Sequence, residues 1–271
     1  MNMNYIPTLT IAGSDSSGGA GIQADLKTMS ALGCYAMSVL TAVTAQNTQG
    51  VLGVQPVSAE MVALQLQAVL EDIPPLAIKT GMLFDAAIIE SVSSILGQLD
   101  IPLVVDPVMV ATSGDRLLSK EAEAVLKRRL LPLATLLTPN LMEAEVLSGV
   151  KIDSRSALYE SGQYLLAHGP KAVLIKGGHT ADTEATDYLF TDKGVTTFSS
   201  ARIETVNTHG TGCTLSAAIT AYIARGLSLE KAIKEGKGYL SEALSSGKMV
   251  AIGQGHGPVD HFFQPQSSIK R

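Results

Sequence analysis

The stretch Asn207-Thr208-His209-Gly210-Thr211-Gly212-Cys213-Thr214 runs straight into the small-residue segment Leu215-Ser216-Ala217-Ala218-Ile219-Thr220, which reads as a helix. A Gly-Thr-Gly turn at a helix start aims several backbone N–H groups at one point, and the helix dipole favours negative charge there. Gly210, Thr211, Gly212 and Cys213 therefore form a candidate anion hole. Cys213 would sit in the first helical turn, where a thiolate is stabilised and a proton could be taken from a nearby hydroxyl. The same residues equally suit a capped helix that buries a small cysteine.

Other reactive side chains follow apolar runs. Asp106 comes after Leu103-Val104-Val105, and Asn140 and Glu143 stand three apart at a helix start after Thr138-Pro139. Together they offer oxygen ligands for hydrated Mg²⁺; alternatively Asn140 caps the helix and Glu143 completes a capping box. Lys176 opens Lys176-Gly177-Gly178-His179, where it could hold a phosphate as a point charge or simply extend into solvent before a turn. Gly13-Ser14-Asp15-Ser16-Ser17-Gly18-Gly19-Ala20-Gly21 permits positive φ and close backbone approach to a ligand, or is merely a pliant turn. It lacks the spacing of a dinucleotide fingerprint, and the chain contains no P-loop.

Positioning these groups falls to alternating β-branched runs and amphipathic segments, the pattern of βαβ units and a mainly parallel sheet. Strands are expected at Thr8–Ala12, Met37–Thr44, Leu76–Lys79, Leu103–Asp106, Leu133–Leu137 and Ala172–Lys176. Helices are expected at Gly21–Leu32, Ala59–Glu71, Ala86–Leu96, Glu121–Leu130, Leu141–Leu147, Ser154–Ala167, Thr214–Arg225 and Leu229–Ser245. Thr186–Phe190 and Gly194–Ser199 read as an antiparallel hairpin. In such a sheet, ligands bind outside the carboxyl ends of the strands, which is where the residues above fall. No linker composition or repeat divides the chain, so residues 1–271 are expected to form a single domain. Periodicity is lost from Gly253 onward, and residues 264–271 are expected to fray.

With 271 residues, 46% hydrophobic and 17% charged, the chain can bury a large core and is not a disordered protein. A net charge of −5, 4% aromatic residues and no Trp argue against nucleic acid as a partner. No signal sequence or stretch of membrane-spanning length is read, and two cysteines in unlike contexts point to a reducing compartment. A cytoplasmic protein that binds no membrane is expected.

The ordered motifs on successive strand ends resemble the ribokinase-like small-molecule kinases, over nearly the whole chain. Within that superfamily Leu9–Asp25, Thr44–Thr48, Lys79–Met82, Asp106–Met109 and His209–Thr214 resemble the hydroxymethylpyrimidine/phosphomethylpyrimidine kinases of thiamin biosynthesis. The resemblance implies a three-layer α/β sandwich and two ATP-dependent phosphorylations. These convert 4-amino-5-hydroxymethyl-2-methylpyrimidine to its monophosphate and then to the diphosphate. It implies a pyrimidine pocket of Gly13, Asp25, Gln46 and Met82 with Val108 as apolar wall. Nucleotide contacts would come from Asn140, Lys176 and Thr208, and Mg²⁺ would lie near Asp106 and Glu143; a monovalent cation and a homodimer are further expectations. Much of the superfamily has Asp as the base where this chain has Cys213, as do the pyrimidine kinases and some pyridoxal kinases.

Three other readings compete. A pyridoxal kinase shares the fold, and Gln46 tilts against it, because its amide offers the donor and acceptor that an aminopyrimidine edge needs. A non-catalytic ligand-binding protein would not need the intact set of acidic, amide and glycine residues. A nicotinamide oxidoreductase would need the spaced glycine fingerprint.

Overall fold

The computed structural model describes residues 3–109, 118–177 and 184–270. In chain order the elements are β1 (Pro7–Ala12), α1 (Gly21–Ala31), β2 (Tyr35–Leu40), β3 (Ala42–Asn47), β4 (Gly50–Pro56), α2 (Ala59–Asp72), β5 (Ala77–Thr80), α3 (Ala86–Leu96) and β6 (Leu103–Val105). There follow α4 (Lys120–Val125), β7 (Leu136–Leu137), α5 (Leu141–Ser148), α6 (Arg155–Ala167), β8 (Val173–Ile175), β9 (Glu184–Thr191), β10 (Gly194–Ala201), α7 (Thr211–Ala224) and α8 (Leu229–Gly247).

Eight strands form one sheet in the order β10-β9-β8-β7-β6-β5-β1-β2. Strands β8 through β2 run parallel, and the β9–β10 hairpin closes one side in antiparallel fashion. Side chains alternate between two helical layers, as the period of a strand requires. Leu9, Ile11, Leu103, Val105, Val173 and Ile175 pack with the layer of α2 to α6. Val104, Leu136 and Leu174 face α7 and α8, while Ile6 and Ala77 meet α1 and α7. Burial on both faces explains why β6, β7 and β8 are continuous apolar runs. Strand β1 pairs with β2 on one side and β5 on the other, so the winding reverses at its carboxyl end and opens a crevice there.

The expected strand Met37–Thr44 divides at Thr41. The Thr41 N–H donates to the Ala12 carbonyl at 3.0 Å and its hydroxyl to the Met82 carbonyl at 2.7 Å. This turns the chain out of the sheet, and β3 pairs instead with β4 as a separate ribbon. Strand β4 escapes sequence reading because Gly53 and Pro56 interrupt its alternation. The expected helix Glu121–Leu130 is α-helical only to Val125 and continues as a π turn over Leu126–Leu130. Pro132 then sits in a 3₁₀ turn at Leu131–Leu133, which shortens the expected strand Leu133–Leu137 to two residues. Residues 264–271, expected to fray, are instead held as far as Lys270. The Gln266 and Ile269 N–H groups donate to the Ala31 and Gly33 carbonyls, and Lys270 bridges to Tyr5.

Candidate active site

A cavity of about 1010 Å³ opens over the carboxyl ends of β1, β5, β6, β7 and β8. Gly13, Gln46, Met82 and Val108 line it, as do Asn140, Lys176, Thr208, the carboxylates Asp106 and Glu143, and the turn Gly210 to Cys213. Asp25 does not. Gly178 and His179 lie outside the described residues.

Helix α7 begins at Thr211, three residues before the expected Thr214, so the Gly-Thr-Gly turn is itself the helix start. Gly210 is the N-cap with φ +77° and no side chain caps the helix. The Thr214 N–H makes the first helical bond, to the Gly210 carbonyl at 2.9 Å. The N–H groups of Gly212 and Cys213 thus precede any helical acceptor and border the cavity. Gly210 has to be glycine for two reasons: a side chain is strained at its φ, and its Cβ would strike the Gly19 carbonyl.

Cationic charge stands beside this turn. The Lys176 ammonium is 2.9 Å from Asp106 Oδ1 and would lie 3.3 Å from a Cβ placed on Gly212. Ser216, one turn into α7, donates to Asp106 Oδ2 at 3.0 Å. Burial would raise the Asp106 carboxyl, but Lys176 and then Lys79 hold it below the usual range. Burial dominates at Glu143, with the Asp106 charge adding to it against Lys176, and pushes that carboxyl up to about 7. Asn140 and Glu143 do form a capping box, with the Asn140 N–H donating to Glu143 Oε2 at 2.7 Å and the Glu143 N–H to Asn140 Oδ1 at 2.9 Å. The box holds both side chains at the cavity wall, so capping and ligand contact are compatible.

Two sequence expectations change. Cys213 shows no stabilised thiolate: burial pushes its thiol up to about 11, outweighing the Lys79 charge and the Gly21 N–H directed at its sulfur. Asp25, expected in the pyrimidine pocket, is fully buried and bonded to Lys79 at 2.7 Å and to the Thr10 hydroxyl at 2.6 Å. Thr10 sits opposite Lys79 in the β1–β5 register, so one carboxylate bridges α1 to both strands. Burial alone would push Lys79 down, yet the Asp25 carboxylate overrides it and keeps the ammonium charged. Lys79, unlike Asp25, reaches the cavity. A single charge in the apolar strand Ala77-Ile78-Lys79-Thr80 was the available signal, since a buried cation requires a counter-charge.

Of the residues expected at the ring, Gly13, Gln46, Met82 and Val108 come together at the cavity and Asp25 does not. The Gly13 N–H donates to the Met82 carbonyl at 3.1 Å, and a Cβ on Gly13 would meet the Met82 methyl, so a larger residue there would push that side chain aside. Gln46 enters the cavity at a bulge in the β3–β4 ribbon. The Ser16 hydroxyl fixes its backbone, bonding the Gln46 carbonyl at 2.7 Å and N–H at 2.8 Å. Sequence reading gave no role to the cavity-lining pair Lys237–Asp187 at 2.7 Å, whose carboxylate also accepts the Gly177 N–H, nor to Asp15 and His209.

Residues 15–260 match the family model for phosphomethylpyrimidine kinase. A hydroxymethylpyrimidine/phosphomethylpyrimidine kinase of Rhizobium meliloti is 51% identical over 94% of this chain and 96% of its own. Among solved structures, the phosphomethylpyrimidine kinase of Clostridium difficile superposes with a TM-score of 0.79 at 47% identity, over 88% of this chain and 99% of that one. An ADP complex of Bacillus subtilis pyridoxal kinase superposes with a TM-score of 0.88 at 36% identity, over 95% and 98% of the two chains. The family match and the shared fold show that the chain belongs to the phosphomethylpyrimidine kinase family, as a phosphotransferase of ribokinase-like fold.

Proposed function

We propose that the chain transfers the γ-phosphoryl group of ATP to 4-amino-5-hydroxymethyl-2-methylpyrimidine, and then a second phosphoryl group to the monophosphate. The observation that carries this reading is one cavity holding both an amide turn flanked by Lys176 and a pocket with the Gln46 amide. Its volume accommodates a nucleotide and a small ring together. Phosphoryl transfer demands positioning and charge neutralisation more than covalent chemistry. The amides of Gly212 and Cys213 and the Lys176 ammonium supply the charge, with Asn140 and Thr208 at the nucleotide. In the first transfer Cys213, once ionised to the thiolate, takes the proton of the attacking hydroxyl as its oxygen bonds to the γ-phosphorus, and the β–γ bond breaks to release ADP. In the second, a phosphate oxygen of the monophosphate attacks instead.

Mg²⁺ suits the donor set through water. Lys176 and Ser216 already occupy the Asp106 oxygens, and the Asn140 N–H occupies one of Glu143, so both carboxylates would act on the ion's hydration shell. A buried carboxyl raised by a second carboxylate is also relieved by added positive charge. When bound, the ion supplies charge that neutralises the phosphates.

Pyridoxal is the second reading, favoured by the superposition on a pyridoxal kinase; the Gln46 amide and the family model favour the pyrimidine. The chain is read as one domain over 1–271, a cytoplasmic homodimer, with Val43 and Leu52 of the β3–β4 ribbon exposed for contact. Gln46→Leu tests the pocket. It should depress pyrimidine phosphorylation far more than basal ATP hydrolysis, because it leaves ring polar groups unpaired beside an intact nucleotide site. Equal loss of both activities refutes the assignment.

A further inference from the structure

Asp15 links the loop that borders the ring pocket to the turn that would hold the phosphate. Its Oδ1 accepts the Ser17 N–H at 2.9 Å and the Ser17 hydroxyl at 2.7 Å. Its Oδ2 accepts the N–H groups of Gly19 at 3.0 Å and Ala20 at 2.8 Å, and bonds His209 Nε2 at 2.7 Å. Five donors fill the capacity of a carboxylate, so Asp15 has none left for a ligand although it borders the cavity. An ionised carboxylate only accepts, which makes Nε2 of His209 the donor.

His209 directly precedes Gly210 and is held from its other side, its N–H donating to the Gly257 carbonyl at 3.0 Å beside a bridge to Pro258. The two loops meet without slack. A Cβ on Gly19 would come within 2.5 Å of His209 Cδ2, and one on Gly210 would strike the Gly19 carbonyl. At the other end of the Asp15 loop, the Gly13 and Ser14 N–H groups are pinned to the Met82 and Ala42 carbonyls at 3.1 and 2.8 Å.

We propose that Asp15 and His209 are a positioning pair that sets the substrate loop against the anion-hole turn, fixing the distance between acceptor oxygen and transferred phosphoryl group. The inference rests on the kinase reading of the cavity. Each ligand keeps its own contacts when the pair is broken, so the loss falls on kcat; misplacement by about 1 Å costs on the order of a hundredfold.

Steady-state kinetics of Asp15→Asn, His209→Asn and His209→Gln, with melting curves for each, test this. The amide nitrogen of Gln reaches the place of Nε2, whereas that of Asn falls short. Asp15→Asn and His209→Asn should lose about tenfold to a hundredfold in kcat, with both KM values within about threefold of wild type. His209→Gln should keep kcat within about threefold, and the Asp15→Asn/His209→Asn double variant should be no worse than the poorer single one. Loss carried by KM, equal failure of the Gln and Asn variants, a wild-type kcat in Asp15→Asn, or unfolding of all three overturns the proposal. A wild-type protein inactive on the pyrimidine with ATP instead removes the kinase reading beneath it.

Discussion

Cys213 faces two demands that oppose each other. A base must give up its proton before it can take another, yet burial keeps this thiol protonated up to about 11. Raising the pH populates the thiolate, so the wild-type single-turnover rate should climb from neutral pH to about pH 10. Cys213→Ser should be slower by about a hundredfold or more and show no such climb, since a hydroxyl holds its proton more tightly. A serine variant with wild-type rate and slope would make Cys213 a packing residue. Glu143→Gln separates charge from capping, because Gln also completes a capping box. It should raise the Mg²⁺ concentration needed for half-maximal rate. Folding lifts the Glu143 carboxyl from 4.5 to about 7, so the folded chain binds its proton more tightly in that window. Its contribution to stability therefore falls as pH rises through the window, and the variant's melting temperature should lose that part of the decline. Unchanged Mg²⁺ dependence and an unchanged melting profile would return Glu143 to capping alone. Side chains such as Asp106 and Lys176 were legible because type and strand-end position coincide, whereas Gln46, inside the β3–β4 ribbon, was reached only through the family resemblance. Asp25 misled, since its neighbouring glycine loop gave no hint of Lys79, 54 residues away.

Helix α7 is where local sequence and tertiary contact meet. Its early start was hidden because glycines at Gly210 and Gly212 look like a loop, and only packing of the turn against Gly19 makes them the first helical turn. Gly210→Ala should cost roughly 1–2 kcal/mol from its left-handed φ alone, and the contact with Gly19 should also displace the turn and cut kcat by more than about tenfold. Gly149→Ala is the control: its φ is +76°, but its Cβ would meet nothing within 4 Å. It should lose comparable stability in a melting curve and keep its activity; equal activity loss in both variants would contradict a specific role for the turn. Core strands and most helices were readable from apolar runs buried on both faces. The β3–β4 ribbon was not, because it lies outside the main sheet and its sequence carries no strong alternation.

The whole molecule gathers short motifs separated by most of the chain. Their order along the sequence matches their order along the sheet edge, from β1 through β5, β6 and β7 to β8, which made the cavity legible before any contact was known. The couplings that hold it were not legible, since Asp15 and His209 are 194 residues apart and neither lies in a pattern that points to the other. In the proposed function this cavity joins ATP to an aminopyrimidine alcohol. Initial rates with ATP and Mg²⁺ on 4-amino-5-hydroxymethyl-2-methylpyrimidine, its monophosphate and pyridoxal test it most directly, with ADP and phosphorylated products both quantified. Both pyrimidines should be converted with one ADP per phosphoryl transferred, and pyridoxal should give a kcat/KM at least about tenfold lower. Preference for pyridoxal, or ADP formed without a phosphorylated pyrimidine, would contradict the account.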